Sequence, residues 1–164
     1  MKVRAAFAAL LFSTGAVAQD DCPQGRAIYT DADDGWQLTF TEPEQGLGIS
    51  TNYFTLSPKG SDLELQAWVR WDDEPEAPFA DVLLNCPDGD VTGAEMDACR
   101  VWRGPVYELS EEGGADWLPQ GDEPAVPALL LPLLAQAIKR SDVGAEVKAL
   151  PWDAWSLTGC SRQN

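Results

Sequence analysis

Between residues 63 and 72 the chain alternates with a period of two. Leu63, Leu65, Ala67, Val69 and Trp71 fall on one side, and Glu64, Gln66, Trp68, Arg70 and Asp72 on the other. Successive side chains of a β-strand point to opposite faces, so this run is a strand with one apolar face and one polar face. A single strand cannot bury its apolar face, so neighbours of the same kind are required. They are present. Trp36, Leu38 and Phe40 alternate with Gln37, Thr39 and Thr41, and Ile49 to Leu56 is rich in β-branched and aromatic residues. Ala80 to Asn85 and Arg100 to Leu109 read as further strands. Breaks fall at Glu42–Gly46, Ser57–Gly60, the acidic Asp73–Pro78 and the long Glu111–Glu123, each with glycine or proline.

The period then changes. In Pro127 to Arg140, PALLLPLLAQAIKR, the residues Leu130, Leu134, Ala137 and Ile138 share one helical face. Lys139 and Arg140 suit the negative end of a helix dipole, and Gly144 is a stop. Pro132 requires that the helix begin there or kink. Val147 to Leu150 and Trp155 to Leu157 read as a last strand. The expected class is α+β, a mostly antiparallel sheet with one C-terminal-half helix packed on it.

The first residues give an address. Met1–Arg4 is a short basic segment, Ala5–Phe12 an apolar run, and Ala16–Ala18 supplies small residues for cleavage. Residues 1–18 thus read as a secretory signal peptide, and residues 19–164 as a single exported domain, periplasmic or secreted. The apolar run is far shorter than the roughly 20 residues a spanning helix needs. Val126 to Ile138 is also short and carries Pro127 and Pro132, so no membrane span is expected after cleavage. Cys22 follows Gln19-Asp20-Asp21, which is not a lipoprotein cleavage run. The four cysteines, Cys22, Cys86, Cys99 and Cys160, form an even set and read as two disulfides in an oxidising compartment. Three connectivities are open. Cys86 with Cys99 and Cys22 with Cys160 is the favoured one, closing a short loop between strands and tying the chain ends together. No C-x-x-C pair points to a thiolate metal site.

Charge and composition exclude more than they assign. The chain has 27 acidic and 11 basic residues, net −16. Loss of Lys2 and Arg4 with a signal peptide gives −18, that is −16 minus two. Such a chain repels nucleic acid and anionic lipid, and attracts cationic partners or divalent metal. Histidine is absent, so no Ser-His-Asp or Cys-His system and no histidine-bound zinc can exist. A carboxylate pair or a Ser/Lys arrangement is the remaining route to catalysis. No G-x-S-x-G, P-loop or dinucleotide motif occurs.

Two acidic stretches raise calcium. In TDADDGWQLTF, Asp31 and Asp33 stand at positions 1 and 3 of an EF-hand-like loop and Glu42 at position 12. Gly35 comes one place early, and the residues after it alternate as a strand. The stretch reads as a turn capped by aspartates, with Gly35 left-handed. CPDGDVTGAE is closer to a calcium loop. Asp88, Asp90 and Thr92 are spaced by two, Gly93 takes position 6, and Glu95 is near. Asp88, Asp90, Thr92 and Glu95 are therefore the candidate metal ligands, against the plainer reading of a disulfide-closed loop. No other cofactor is indicated.

Seven tryptophans are present. Most should be core, but Trp68 lies on the polar side of its strand beside Gln66 and Arg70. Trp102 looks similar, with Arg100 on its face and Arg103 adjacent. Trp68, Arg70, Trp102 and Arg103 are the candidate binding residues, a platform for a sugar ring or a partner's side chain. The competing reading is a sheet covered on both faces, with Trp68 buried. In size, acidity and cysteine number the chain resembles the periplasmic lysozyme inhibitors; no motif carries that likeness, and no residue role follows from it. The expectation is an exported binding or interaction module for an envelope protein or glycan, rather than an enzyme. The alternatives are a carboxylate-based hydrolase of envelope glycans and a calcium-stabilised structural domain.

Overall fold

The alternation is realised strand by strand. A computed structural model describes residues 22–42, 50–73, 76–87, 89, 92–110 and 112–162. The segment expected to be a signal peptide, residues 1–18, lies outside them. The strands are β1 (Ala27–Asp31), β2 (Trp36–Thr41), β3 (Ser50–Pro58), β4 (Leu65–Asp73), β5 (Glu76–Leu83), β6 (Arg100–Pro105), β7 (Tyr107–Leu109), β8 (Ala115–Trp117), β9 (Ala128–Leu130) and β10 (Ala154–Cys160). They form one sheet in the order β6-β5-β4-β3-β2-β1-β10-β9-β7-β8, with every ladder antiparallel. Three short α-helices, α1 (Gly93–Cys99), α2 (Leu134–Arg140) and α3 (Val143–Glu146), and a 3-10 turn at Gln24–Arg26 complete the described residues. The fold is dominated by its sheet, more than the expected α+β label conveys.

One connection explains the shape. β6 lies at one flank of the sheet and β7 next to the other, yet only Val106 separates them in sequence. The flanks must therefore meet, and the sheet rolls into a half-barrel. Val106 N–H donates to Pro78 O of β5 at 3.3 Å, and Val106 O accepts from Leu118 N–H, just past β8, also at 3.3 Å. Trp71 of β4 touches Trp117 of β8 edge to face at 6.5 Å.

The inside of the roll is the core. Trp36, Leu38 and Phe40 of β2, Phe54 and Leu56 of β3, and Leu65, Ala67 and Val69 of β4 all point into it. Trp155 of β10, Leu129 of β9, and Leu134 and Ile138 of α2 close it. Each fully buried side chain of this size stabilises by about 1.5–3 kcal/mol. Tyr29 packs against Phe40 and keeps its hydroxyl 2.9 Å from both Gln24 Oε1 and Val126 O; burial pushes that hydroxyl's pKa up.

Both favoured disulfides are present, Cys22–Cys160 and Cys86–Cys99. The first follows from topology: β1 pairs with β10, placing Ala27 opposite Cys160 and bringing both ends of the domain together. The turn before β2 is capped as expected. Asp31 Oδ1 accepts from Gly35 N–H at 2.8 Å and Trp36 N–H at 2.9 Å. The left-handed residue, however, is Asp34 (φ 53°), not Gly35. Aspartate tolerates that conformation better than most residues.

Several expected boundaries move. Residues 127–140 are not one helix: Ala128–Leu130 is strand β9, paired with β7 and β10, and α2 begins only at Leu134. The physical reason is Pro132. It disfavours helical geometry at Leu131, and the chain turns through Leu133 at φ 64°. The Asp153 carboxylate then accepts from Leu133 N–H at 2.8 Å and Ala135 N–H at 2.9 Å, capping the new start. Val143–Glu146 is helical and residues 147–150 form no strand. β4 and β5 extend into the expected acidic loop, residues 73–78. Arg100–Leu109 splits into β6 and β7, and β8 lies inside the expected loop at 111–123.

Candidate functional site

On the outer face of the roll, the registers align one row across four strands. Tyr53 of β3 stands opposite Trp68 of β4, Trp68 opposite Asp81 of β5, and Asp81 opposite Arg103 of β6. Arg70, two residues on from Trp68, stands opposite Phe79. A bulge between Val82 and Leu83 then brings Arg100, rather than Val101, opposite Leu83. Bulges re-aim side chains, and this one puts Arg100 on the outer face.

Asp81 is the centre. It is 1% exposed, and three guanidiniums converge on it. Arg70 Nη2 donates to Asp81 Oδ2 at 3.0 Å. Arg100 Nε lies 2.6 Å from Asp81 Oδ1 as a charge pair, without the alignment of a hydrogen bond. Arg103 Nη1 is 4.0 Å from Asp81 Oδ2, and its guanidinium sits over the Phe79 ring at 5.9 Å. Arg100 also pairs with Asp97 of α1. The side chains of Arg70, Arg100 and Arg103 remain 33%, 23% and 39% exposed. One carboxylate needs one guanidinium; here it organises three.

Of the expected binding residues, Trp68, Arg70 and Arg103 are thus brought together, with Trp68 half-buried. Trp102 is not. It is 5% exposed in the core, its Nε1–H donates to Pro132 O at 3.1 Å, and its ring lies over Gly104. The bulge is the cause: it separates Arg100 from Trp102, although two residues apart in a regular strand would share a face. Asp81 was not anticipated. The signal was available, since a lone aspartate inside the apolar run FADVLL is a charge that must be buried and paired.

Of the four expected metal ligands, Thr92 and Glu95 are among the described residues. Asp88 and Asp90 lie outside the described residues. Thr92 and Glu95 satisfy each other as a capping box at the start of α1. Glu95 Oε2 accepts from Thr92 N–H at 2.9 Å and from Thr92 Oγ1–H at 2.7 Å. These bonds hold the Glu95 carboxyl below its ordinary range. The pattern T-x-x-E was the sequence signal for this cap. Among the described residues, no group of three or more Cys, Asp or Glu is placed to hold a metal ion.

For a carboxylate-based hydrolase the relevant groups are paired acids in a cleft. Three surface cavities of about 240, 430 and 270 Å³ each include one carboxylate, from Glu146, Glu42 and Asp142 respectively. Glu108 of β7 faces Asp116 of β8 across a ladder. Partial burial first, then Asp116 and Glu123, push the Glu108 carboxyl up. No helix among the described residues is long and apolar enough to cross a membrane. No family model matches the chain, and no curated protein or solved structure matches it.

Proposed function

We propose that the protein is an exported binding module that holds an envelope protein or glycan on the outer face of β3–β6, at Trp68, Arg70 and Arg103. The observation that carries this reading is the gathering of Arg70, Arg100 and Arg103 on the single buried carboxylate of Asp81, beside the half-buried ring of Trp68. Partly exposed guanidiniums held by one buried carboxylate are pre-organised, which lowers the ordering cost of binding. Export is supported by the N-terminal sequence and by two disulfides, which suit an oxidising compartment such as the periplasm.

The test is retention of envelope material on immobilised protein. Wild type should retain a component that the Trp68→Ala/Arg70→Ala variant loses and that Trp152→Ala, a change at an exposed tryptophan elsewhere, keeps. Equal retention by all three would rule out this face.

A further inference from the structure

We infer that the seam where the two flanks of the sheet meet is a second interaction surface, whose rings, Trp71, Trp117 and Tyr107, take an arginine side chain from a basic segment of a partner protein. It does not rest on the outer face of β3–β6. Period two puts Trp71 on the opposite face of β4 from Trp68 and Arg70. Three observations lead to it.

The first is that the fold itself gathers the rings. Trp71 stands opposite Pro78 of β5, and Pro78 O accepts from Val106 N–H at 3.3 Å. Val106 precedes Tyr107, and its carbonyl accepts from the N–H of Leu118, the residue after Trp117, at 3.3 Å. Tyr107 and Trp117 are partners in the β7–β8 ladder. Tyr107 stacks on Trp117 at 5.2 Å with 22° between the planes, and Trp71 meets Trp117 edge to face at 6.5 Å. The second is exposure. Trp71 and Trp117 are 40% and 38% exposed, whereas Trp36, Trp102 and Trp155 are buried. Adjacent open aromatics held by backbone contacts are the anchors that interfaces use. The third is charge, which selects the occupant. No lysine or arginine occurs in residues 71–99 or 104–138, the segments that carry the rings. Glu108 and Asp116 face each other in the ladder, on the other side of the β7–β8 ribbon and one residue from the rings. That is within the screening length of about 8 Å. Every ion pair formed among the described residues uses other acids. A guanidinium answers both features, since its plane lies on an indole and its charge offsets the carboxylates. A neutral sugar would answer only the rings. A second copy of this chain, at net −16, would be repelled.

Titration calorimetry on the folded, disulfide-bonded protein at physiological salt tests this with short capped peptides. They carry arginine at alternate positions, or citrulline or lysine in its place. The arginine peptide should bind. Citrulline, which keeps the shape without the charge, should weaken binding by about tenfold or more. Lysine, which keeps the charge without the plane, should weaken it by about threefold. These comparisons need no variant. Nor does a second readout: the arginine peptide should move the indole N–H resonances of Trp71 and Trp117 and leave that of Trp152 in place. Trp117→Ala should weaken binding by about threefold or more. Asp116→Asn, whose amide oxygen can still accept from Trp117 N–H, should weaken it by about twofold. Trp152→Ala, at an exposed tryptophan elsewhere, should bind as wild type does. Melting curves check that the variants fold. Equal binding of the arginine and citrulline peptides overturns the cation, and equal binding of arginine and lysine overturns the stacking. Unmoved Trp71 and Trp117 resonances overturn the site, as does a folded Trp117→Ala that binds like wild type or a Trp152→Ala that loses as much. Failure of the arginine peptide to bind overturns the whole inference. So does a neutral trisaccharide that binds in its place, or self-association that Trp117→Ala abolishes.

Discussion

Replacing Asp81 with asparagine sets two electrostatic effects against each other. Globally, the change lowers the net charge from −16 to −15 and relieves self-repulsion. At physiological salt, with a screening length of about 8 Å, that relief is worth a few tenths of a kcal/mol. Locally, it removes an anion 3.0 Å from Arg70, 2.6 Å from Arg100 and 4.0 Å from Arg103. Breaking a fully buried pair costs about 3–5 kcal/mol, because the remaining charge stays dry. Here the arginine side chains are 23–39% exposed and partly rehydrate, so the expected loss is about 2–4 kcal/mol. The local effect wins. Urea unfolding followed by tryptophan fluorescence should show the midpoint falling by about 1–2 M, given slopes of about 1–3 kcal/mol per M. Asp62→Asn changes the net charge equally at an exposed position and should stay within about 0.5 kcal/mol of wild type. If Asp81→Asn matches that control, or stabilises, Asp81 does not organise the arginines and the account of the site is wrong.

Three further outcomes are expected. The disulfides span 138 and 13 residues, so loop-closure entropy assigns about 5 kcal/mol to Cys22–Cys160 and about 3 kcal/mol to Cys86–Cys99. Paired alanine variants should show that order in denaturant midpoint, and the reverse order would contradict it. A Cβ on Gly104 would sit 2.4 Å from the Trp102 ring, so Gly104→Ala should destabilise by about 1–3 kcal/mol through overpacking, with a lower melting temperature as the readout. Glu108 has its carboxyl pushed up, so above that raised value the folded state carries an ionised group it disfavours. Glu108→Gln should therefore raise the melting temperature at pH 7, and the gain should vanish as pH falls below the ordinary value of 4.5, where the carboxyl is protonated in both states. A gain independent of pH would exclude this cause.

How much of this was legible depends on where each residue's face is decided. β2 and β4 have one wet face and one dry face, and their alternation names them at once. β1 hides because Tyr29, Thr30 and Asp31 are all buried, so its sequence does not alternate. β9 hides for another reason. ALL, in a proline-flanked apolar run, fits a helix or a strand equally, and only pairing with β7 and β10 settles it. The candidate site divides in the same way. Trp68 and Arg70 lie on one strand, and its period alone puts them on the polar face. Arg100 and Trp102 also share a strand and a spacing of two, yet they part, one to the surface and one to the core. Neither residue decides that. It is decided by the extra residue that β6 accommodates against β5, a property of two strands and their register. Asp81 lies between these cases. Its charge in an apolar strand says that cations must come to it, but which cations come is set by β4 on one side and by the bulged β6 on the other. The arginine cluster is thus a consequence of registry, and a chain with the same strands and no bulge would present Trp68 and Arg70 without Arg100.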